Sequence, residues 1–118
     1  MKRKILILLL LLVALSACRP SNKVIKDAIS DSIIKNIPTT WSGSLLGGKA
    51  LNIYSLEIVK VGKYNKHGEY YPVKVHCHGT AEADLLFDKK INEFDKDGEF
   101  HVFQDEYGEW KARYSGGL

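Results

Sequence analysis

The sequence is poor in several residues that often define an architecture. Its 118 residues include two cysteines, three prolines and one methionine. With so few cysteines the chain must be held together by its core rather than by a disulfide framework. It has no long Gly/Pro/Ser tract, sustained heptad pattern or internal repeat, so collagen-like, coiled-coil and solenoid folds are excluded. Hydrophobic residues make up 45% and charged residues 26%, which is typical of one ordinary folded domain.

The common local motifs of catalysis are also missing. No serine lies in a nucleophile-elbow context. The segment Gly47-Gly48-Lys49 lacks the preceding strand and the following Ser or Thr of a phosphate-binding loop. The segment Asp95–Gly98 is similar to part of a calcium loop, but the frame ends on Gln104 where a bidentate Glu is needed. The sequence therefore predicts a protein that is not an enzyme and holds no cofactor.

The one long apolar run lies close to the start. It comprises eleven residues, Ile5 to Leu15, and follows the basic stretch Lys2-Arg3-Lys4. A basic segment, an apolar core and small residues before a cleavage point are the parts of a secretory signal. Eleven residues are too few to span a bilayer, which needs about 20 in a helix. This segment is therefore predicted to be a removable signal rather than a permanent transmembrane anchor.

The signal ends in Leu15-Ser16-Ala17-Cys18, which resembles the lipobox of bacterial lipoproteins. That resemblance implies cleavage before Cys18 and acylation of Cys18 by diacylglycerol and a further fatty acid such as palmitate. Two or three acyl chains hold a protein firmly on a membrane, whereas one chain binds only marginally. The expected organisation is a signal peptide at 1–17, a tether at 18–21 and a single domain at 22–118. An ordinary cleavage after Ala17 is the alternative, although Leu15 is large for that type of site.

The residue after the lipobox cysteine bears on location. In enterobacterial lipoproteins an Asp at this position favours retention in the inner membrane, and this chain has Arg19. The resemblance thus implies a lipid-anchored protein of the bacterial cell envelope, on the outer membrane and facing the periplasm.

The charge of the mature chain argues against nucleic acid. Without the signal the chain has fourteen basic and fourteen acidic residues, so no basic footprint remains. The charges are unevenly placed, with a net of +5 over 19–76 and −5 over 77–118. These halves can attract each other across the fold. Alternatively, the acidic half can steer a basic partner protein of the envelope.

Hydrophobic periodicity predicts one helix followed by four strands. Apolar residues recur at helical spacing from Val24 to Ile37, with Ser21 or Asn22 as the N-cap and Pro38 as the stop. A loop over 38–49 should insert Trp41 into the core. A strand over 51–61 then needs a β-bulge near Ser55, and a polar hairpin loop at 62–69 follows it.

The second half of the chain carries the clearest strand. Residues alternate between apolar and polar from Tyr71 to Asp84 without a slip. We expect a charged loop over 88–97, with Ile91 and Phe94 pointing inward and a turn at Asp97-Gly98. Short strands around Phe100 and from Trp110 to Tyr114 complete the prediction, joined by a tight turn that ends at Gly108.

The predicted fold class is α+β, with one N-terminal helix packed on a four-stranded antiparallel meander. This element order resembles cystatin-like and nuclear-transport-factor-like cone folds, in which a curved sheet wraps a helix. Small envelope lipoproteins of unassigned role often share it. The Q-x-V-x-G inhibitory motif of cystatins is missing from the sequence, so protease inhibition does not follow from the resemblance.

The tripeptide His76-Cys77-His78 is the main candidate site. On a strand His76 and His78 share a face and could chelate zinc or copper, with His67 or His101 as a third ligand. Alternatively, they are simply polar residues on the wet face, or they give a pH response. Cys77 should lie on the opposite, apolar face as a small buried hydrophobe. The aromatic residues near the loop ends either pack the core or line a ligand cleft at the open end of the cone.

Overall fold

The computed structural model describes residues 19–43 and 47–116, so the predicted signal, Cys18 and the last two residues lie outside the described part. Helix α1 spans Asn22–Lys35 and a short helix α2 spans Thr39–Ser42. Four strands follow: β1 at Gly48–Val61, β2 at Tyr71–Asp84, β3 at Lys89–Gln104 and β4 at Trp110–Gly116. They form one antiparallel sheet in the order β1-β2-β3-β4. The predicted α+β class, with a helix on a four-stranded meander, is confirmed.

Helix α1 forms where the periodicity predicts it. The Ser21 hydroxyl accepts a hydrogen bond from the backbone N–H of Val24 at 3.3 Å, which confirms the N-cap. Ile25, Ile29 and Ile33 are fully buried and form one stripe along the helix. The helix packs mainly against β1 and β4, the two outer strands, which indicates that the sheet curves around it.

The segment between α1 and β1 is not the plain loop that its composition suggests. Thr39–Ser42 forms one helical turn, closed by Gly43 in the left-handed conformation with φ 79°. That turn carries Trp41 into the core, where the indole lies 5.6 Å from the Phe94 ring and 5.9 Å from the Phe100 ring, centroid to centroid. The role of Trp41 as an internal plug is thus confirmed, but a helix rather than a loop delivers it.

Strand β3 corrects three further predictions. The charged segment 88–97 is not a loop, because Lys89 onward pairs continuously with β2, and Asp97-Gly98 lies inside the strand rather than in a turn. Phe94 points inward and is 2% exposed, as predicted. Ile91 does not, since the register places it opposite Glu82 and leaves it 66% exposed.

Strand β2 alternates as its sequence predicts. Its inward residues from Val73 to Ala83 are buried, and its outward residues are exposed or half-buried. Strand β1 is less regular, with register shifts at Ala50/Asn52, Ile53/Ser55 and Ile58/Lys60. The single bulge expected near Ser55 is therefore one of three irregularities. The tight turn at Gly108 is confirmed, with a φ of 80° that favours glycine.

Candidate functional site

The outer face of the sheet carries a cluster of histidines and carboxylates. The alternation of β2 puts His76 and His78 on this face, and the antiparallel register places Asp97 opposite His76 and Asp95 opposite His78. Diagonal neighbours across two antiparallel strands are also within reach of long side chains. One more acidic residue, Glu93, completes the cluster at the diagonal position from His78. We call these five residues the histidine–carboxylate face.

His76 lies between two carboxylates. Its Nδ1 is 2.6 Å from Asp97 Oδ1, and its Nε2 contacts Asp95 Oδ1. The hydrogen bond with Asp97 raises the pKa of His76 above its ordinary value of 6.5, and the negative charge of Asp95 acts in the same direction. Both ring nitrogens can donate only when the imidazole is protonated, so this geometry favours the imidazolium form.

His78 contacts a different carboxylate. Its Nε2 is 2.5 Å from Glu93 Oε1, and the ring packs against Tyr54 of β1 with a centroid distance of 5.3 Å. The two imidazoles thus each bind carboxylates of β3 instead of converging on one point. In the described part of the chain, no group of three or more His, Cys, Asp or Glu side chains is arranged to hold a metal ion.

The structure does not bring either expected third ligand to this face. His67 lies in the exposed connection between β1 and β2. His101 lies four residues along β3 from Asp97, which is about 13 Å in a strand. Its ring stacks on Tyr70 at 3.6 Å between centroids. The metal site at His76 and His78 therefore stays a prediction, and neither His67 nor His101 is placed to act as its third ligand.

A second cluster, which we missed in the sequence, surrounds His101. Arg113 of β4 lies over two rings, 5.7 Å from the Tyr70 centroid and 4.9 Å from the Phe103 centroid. Burial lowers the pKa of His101, and the neighbouring Arg113 charge lowers it further. The sequence does not predict this cluster, because the pairing of His101 with Arg113 depends on the register between β3 and β4.

One stretch of sheet edge is open next to the histidine–carboxylate face. Strand β4 has seven residues and pairs with β3 only from Glu99 onward. Within the described residues, no strand pairs with 89–98 on the side away from β2. The solvent-facing side chains here include Glu93, Asp95 and Asp97, each about 60 to 70% exposed. We call 89–98 the acidic edge after this outward row, although Lys89, Lys90 and Lys96 balance the three acidic residues and leave the segment without net charge.

The other two strand edges are better protected. The outer edge of β1 is broken by its three register shifts, and such irregularities disfavour pairing with another strand. Strand β4 lies beside α1, with a groove of about 520 Å³ between them that is lined by residues such as Ser32, Lys35 and Arg113. The acidic edge has no bulge; the short helix α2 lies on its inner side, where Asn92 Nδ2 donates to the Ser42 carbonyl at 3.1 Å, and charged side chains line its solvent face.

Cys77 lies on the inner face of β2 and is fully buried, as the alternation of side chains along the strand predicts. Burial raises the pKa of its thiol to about 11, so the nucleophilic thiolate is disfavoured. The predicted lipidation residue, Cys18, is outside the described residues. Among the residues that are described, no helix is long and apolar enough to cross a membrane.

Three of the loop-end aromatics pack in or against the core, which is the first of their two expected roles. Trp41 is core, and Tyr71 and Trp110 are half-buried against it. Tyr107 is 83% exposed at the turn between β3 and β4.

Comparisons with protein-family models, curated proteins and solved structures give no match to this chain.

Proposed function

We propose that the protein is a lipid-anchored, non-enzymatic binding domain of the bacterial cell envelope. Cys18 carries the lipid, and the anchored domain faces the periplasm from the outer membrane. The lipobox-like Leu15–Cys18 segment supports the anchor. The short distance from Cys18 to Ser21, which caps the first helix, supports a domain held close to the membrane.

The binding surface is the acidic edge, and its partner is an extended basic segment of another envelope protein. An added strand would bond to the free main-chain groups of 89–98, as in other cases of β-augmentation. Lys or Arg at every second position of that strand would face Glu93, Asp95 and Asp97 and would share these carboxylates with His76 and His78 of β2. The observation that carries the proposal is the shortness of β4, which ends its pairing at Glu99 and leaves this acidic row beside an open edge.

The anchor is tested by labelling cells with radioactive palmitate. The full-length protein should incorporate the label, and Cys18→Ala should not, because the acceptor thiol is gone. Cys77→Ala is the matched control and should remain labelled, since its thiol is buried. Continued labelling of Cys18→Ala would contradict the assignment of the anchor.

The edge is tested with the full-length protein reconstituted in vesicles. The probes are two ten-residue peptides that alternate threonine with either lysine or glutamate. The lysine peptide should bind, and the glutamate peptide should not. Changing Glu93, Asp95 and Asp97 together to their amides removes three cross-strand charge pairs of about 0.5 kcal/mol each, so binding should weaken roughly tenfold.

Two controls separate strand addition from charge attraction alone. Asp27→Asn with Asp31→Asn removes two exposed carboxylates of α1 and should leave the affinity unchanged. A lysine peptide with N-methyl groups at alternate amides keeps its charge but cannot pair with a strand. Equal binding of the methylated and unmethylated peptides would count against the acidic edge as a pairing surface.

A small-ligand or metal-binding module is the second candidate function. The groove between α1 and β4 favours it, because its volume of about 520 Å³ suits a small molecule. If the module instead binds a metal ion, the histidine–carboxylate face is the site, and His76 and His78 are the ligands. Zinc titration distinguishes these functions: sub-micromolar binding that is lost when both histidines become alanine would favour the metal module.

We also propose that the curved sheet around α1 is a cystatin-like cone.

A further inference from the structure

The connection between β2 and β3 is the most apolar exposed point of the described chain. Leu85, Leu86 and Phe87 are consecutive and are 46%, 74% and 95% exposed. They occupy the turn of a hairpin whose strands have fourteen and sixteen residues. Monomeric soluble proteins do not usually expose contiguous large apolar side chains, so this turn needs an explanation. We call these three residues the apolar tip.

We propose that the apolar tip inserts into the surface of a lipid bilayer. The tip is convex, and a bilayer accepts a convex apolar projection without a matching pocket. No charged residue interrupts the three apolar residues. The backbone N–H of Leu85 donates to the Asp88 carbonyl at 2.8 Å. These two main-chain groups are therefore hydrogen-bonded within the turn and do not need water as a partner.

The residues behind the tip fit the headgroup region. Lys89 and Lys90 follow directly, and long lysine side chains can keep their ammonium groups in the interface while their stems lie along apolar surface. The Lys89 ammonium also pairs with Glu82 at 3.3 Å, whereas Lys90 makes no ion pair with a described residue. The Asp88 carboxylate accepts a hydrogen bond from the backbone N–H of Lys89 at 2.7 Å, so part of its hydrogen-bonding capacity is met within the turn.

The turn between β3 and β4 provides an internal comparison. Tyr107 is 83% exposed there, but Asp105, Glu106 and Glu109 surround it in the sequence. Carboxylates disfavour entry into a bilayer far more than leucine does. An exposed aromatic residue alone therefore does not define a membrane-binding turn. Asp84 and Asp88 flank the apolar tip as well, but of these two described turns only the one at 85–87 has three consecutive exposed apolar residues.

The apolar tip lies far from the proposed anchor. The start of α1 packs beside Gly108 and Trp110, whereas β2 carries the chain from that end to Asp84 at the other. Fourteen strand residues span about 45 Å. The four-residue tether reaches about 14 Å at most. The tip thus meets either a second bilayer or, if the domain lies flat, the anchoring one. Only this geometric choice rests on the proposed function; insertion of the tip does not.

The test places a polarity-sensitive fluorophore on Phe87→Cys in the full-length protein, reconstituted in vesicles. Brominated lipid, which quenches only by close contact, is supplied either in the protein vesicles or in added plain vesicles. We expect the emission of the fluorophore to shift to shorter wavelength, and to be quenched when one of the two vesicle populations contains the brominated lipid. Quenching by either supports insertion and identifies which bilayer is involved. No quenching by either would overturn it.

Matched controls keep the result interpretable. Leu85→Ser with Leu86→Ser in the labelled protein should abolish quenching, and the combined emission of Trp41 and Trp110 should report an unchanged core. If envelope extract shields the label while brominated lipid does not quench it, the tip binds a protein, and the inference is wrong. The chain without Phe87→Cys should take no label, because Cys77 is buried. Labelling of that chain at Cys18 would contradict the proposed anchor, and the test of the tip is then made with Cys18→Ala, so that Phe87→Cys alone carries the label.

Discussion

Gly98 lies in the middle of β3 directly against the indole of Trp41. A Cβ atom at position 98 would come within 2.7 Å of Trp41 Cζ2 and 3.2 Å of Tyr114 Cε1. Trp41 is 3% exposed and packs against three other rings, so it has little freedom to move aside. The glycine is therefore required by the close approach of an aromatic plug to the sheet, and not by a turn.

We expect Gly98→Ala to destabilise the protein by about 1–3 kcal/mol, the usual cost of overpacking a core. Urea unfolding followed by circular dichroism measures this change. Lys96→Ala, at an exposed position of the same strand, should change the free energy of unfolding little. In a double-mutant cycle Trp41→Phe should reduce the cost of Gly98→Ala, because the smaller ring leaves room. Independent, additive effects would contradict the proposed clash.

The same contact explains why the sequence misleads at this point. Asp97-Gly98 is a common turn pair, and of the inward positions Asn92, Phe94, Lys96 and Gly98 only Phe94 is apolar. The strand is therefore invisible to a search for alternating hydrophobicity. It forms because β2 supplies a complete partner and because the core at Gly98 is filled by a residue from α2. Both are tertiary effects that no local pattern contains.

Elements with a local physical cause were predicted well. The apolar stripe and Ser21 cap define α1, and unbroken alternation defines β2, which places Cys77 inside and His76 and His78 outside. The acidic partners of the histidines depend on register, so they could not be predicted. The open edge at 89–98 depends on where β4 stops, and the stacking of Tyr70 on His101 depends on a loop conformation.

Gly79 offers a second test of close packing. A Cβ atom there would lie 2.2 Å from the Asn52 carbonyl oxygen and 2.8 Å from Phe94 Cζ. Because backbone of β1 must then move, Gly79→Ala should cost roughly 3 kcal/mol or more, a value at the high end for overpacking. Thr80→Ala, on the other face of the same strand, is the matched control. Thermal unfolding of both variants should show a large loss for Gly79→Ala alone.

The buried thiol of Cys77 gives a prediction at alkaline pH. Its pKa is raised from an ordinary 9.0 to about 11. Between these values the unfolded chain loses the proton while the folded chain retains it, so the free energy of unfolding should fall as pH rises. Cys77→Ala should lack this contribution, and the difference between the two pH profiles isolates it from other titrating groups. Parallel profiles would show that the thiol titrates alike in both states.

His76 and His101 should titrate on opposite sides of pH 6.5, because carboxylates surround the first, whereas burial and Arg113 lower the second. Proton NMR of the two imidazole rings measures this directly. Asp97→Asn should lower the pKa of His76, since it removes the strongest partner, and should leave His101 unchanged. The raised pKa of His76 stabilises the fold below pH 6.5, and this contribution is lost as pH rises through the higher folded value. An Asp97→Asn protein with the same His76 titration would show that the carboxylates do not hold the imidazolium.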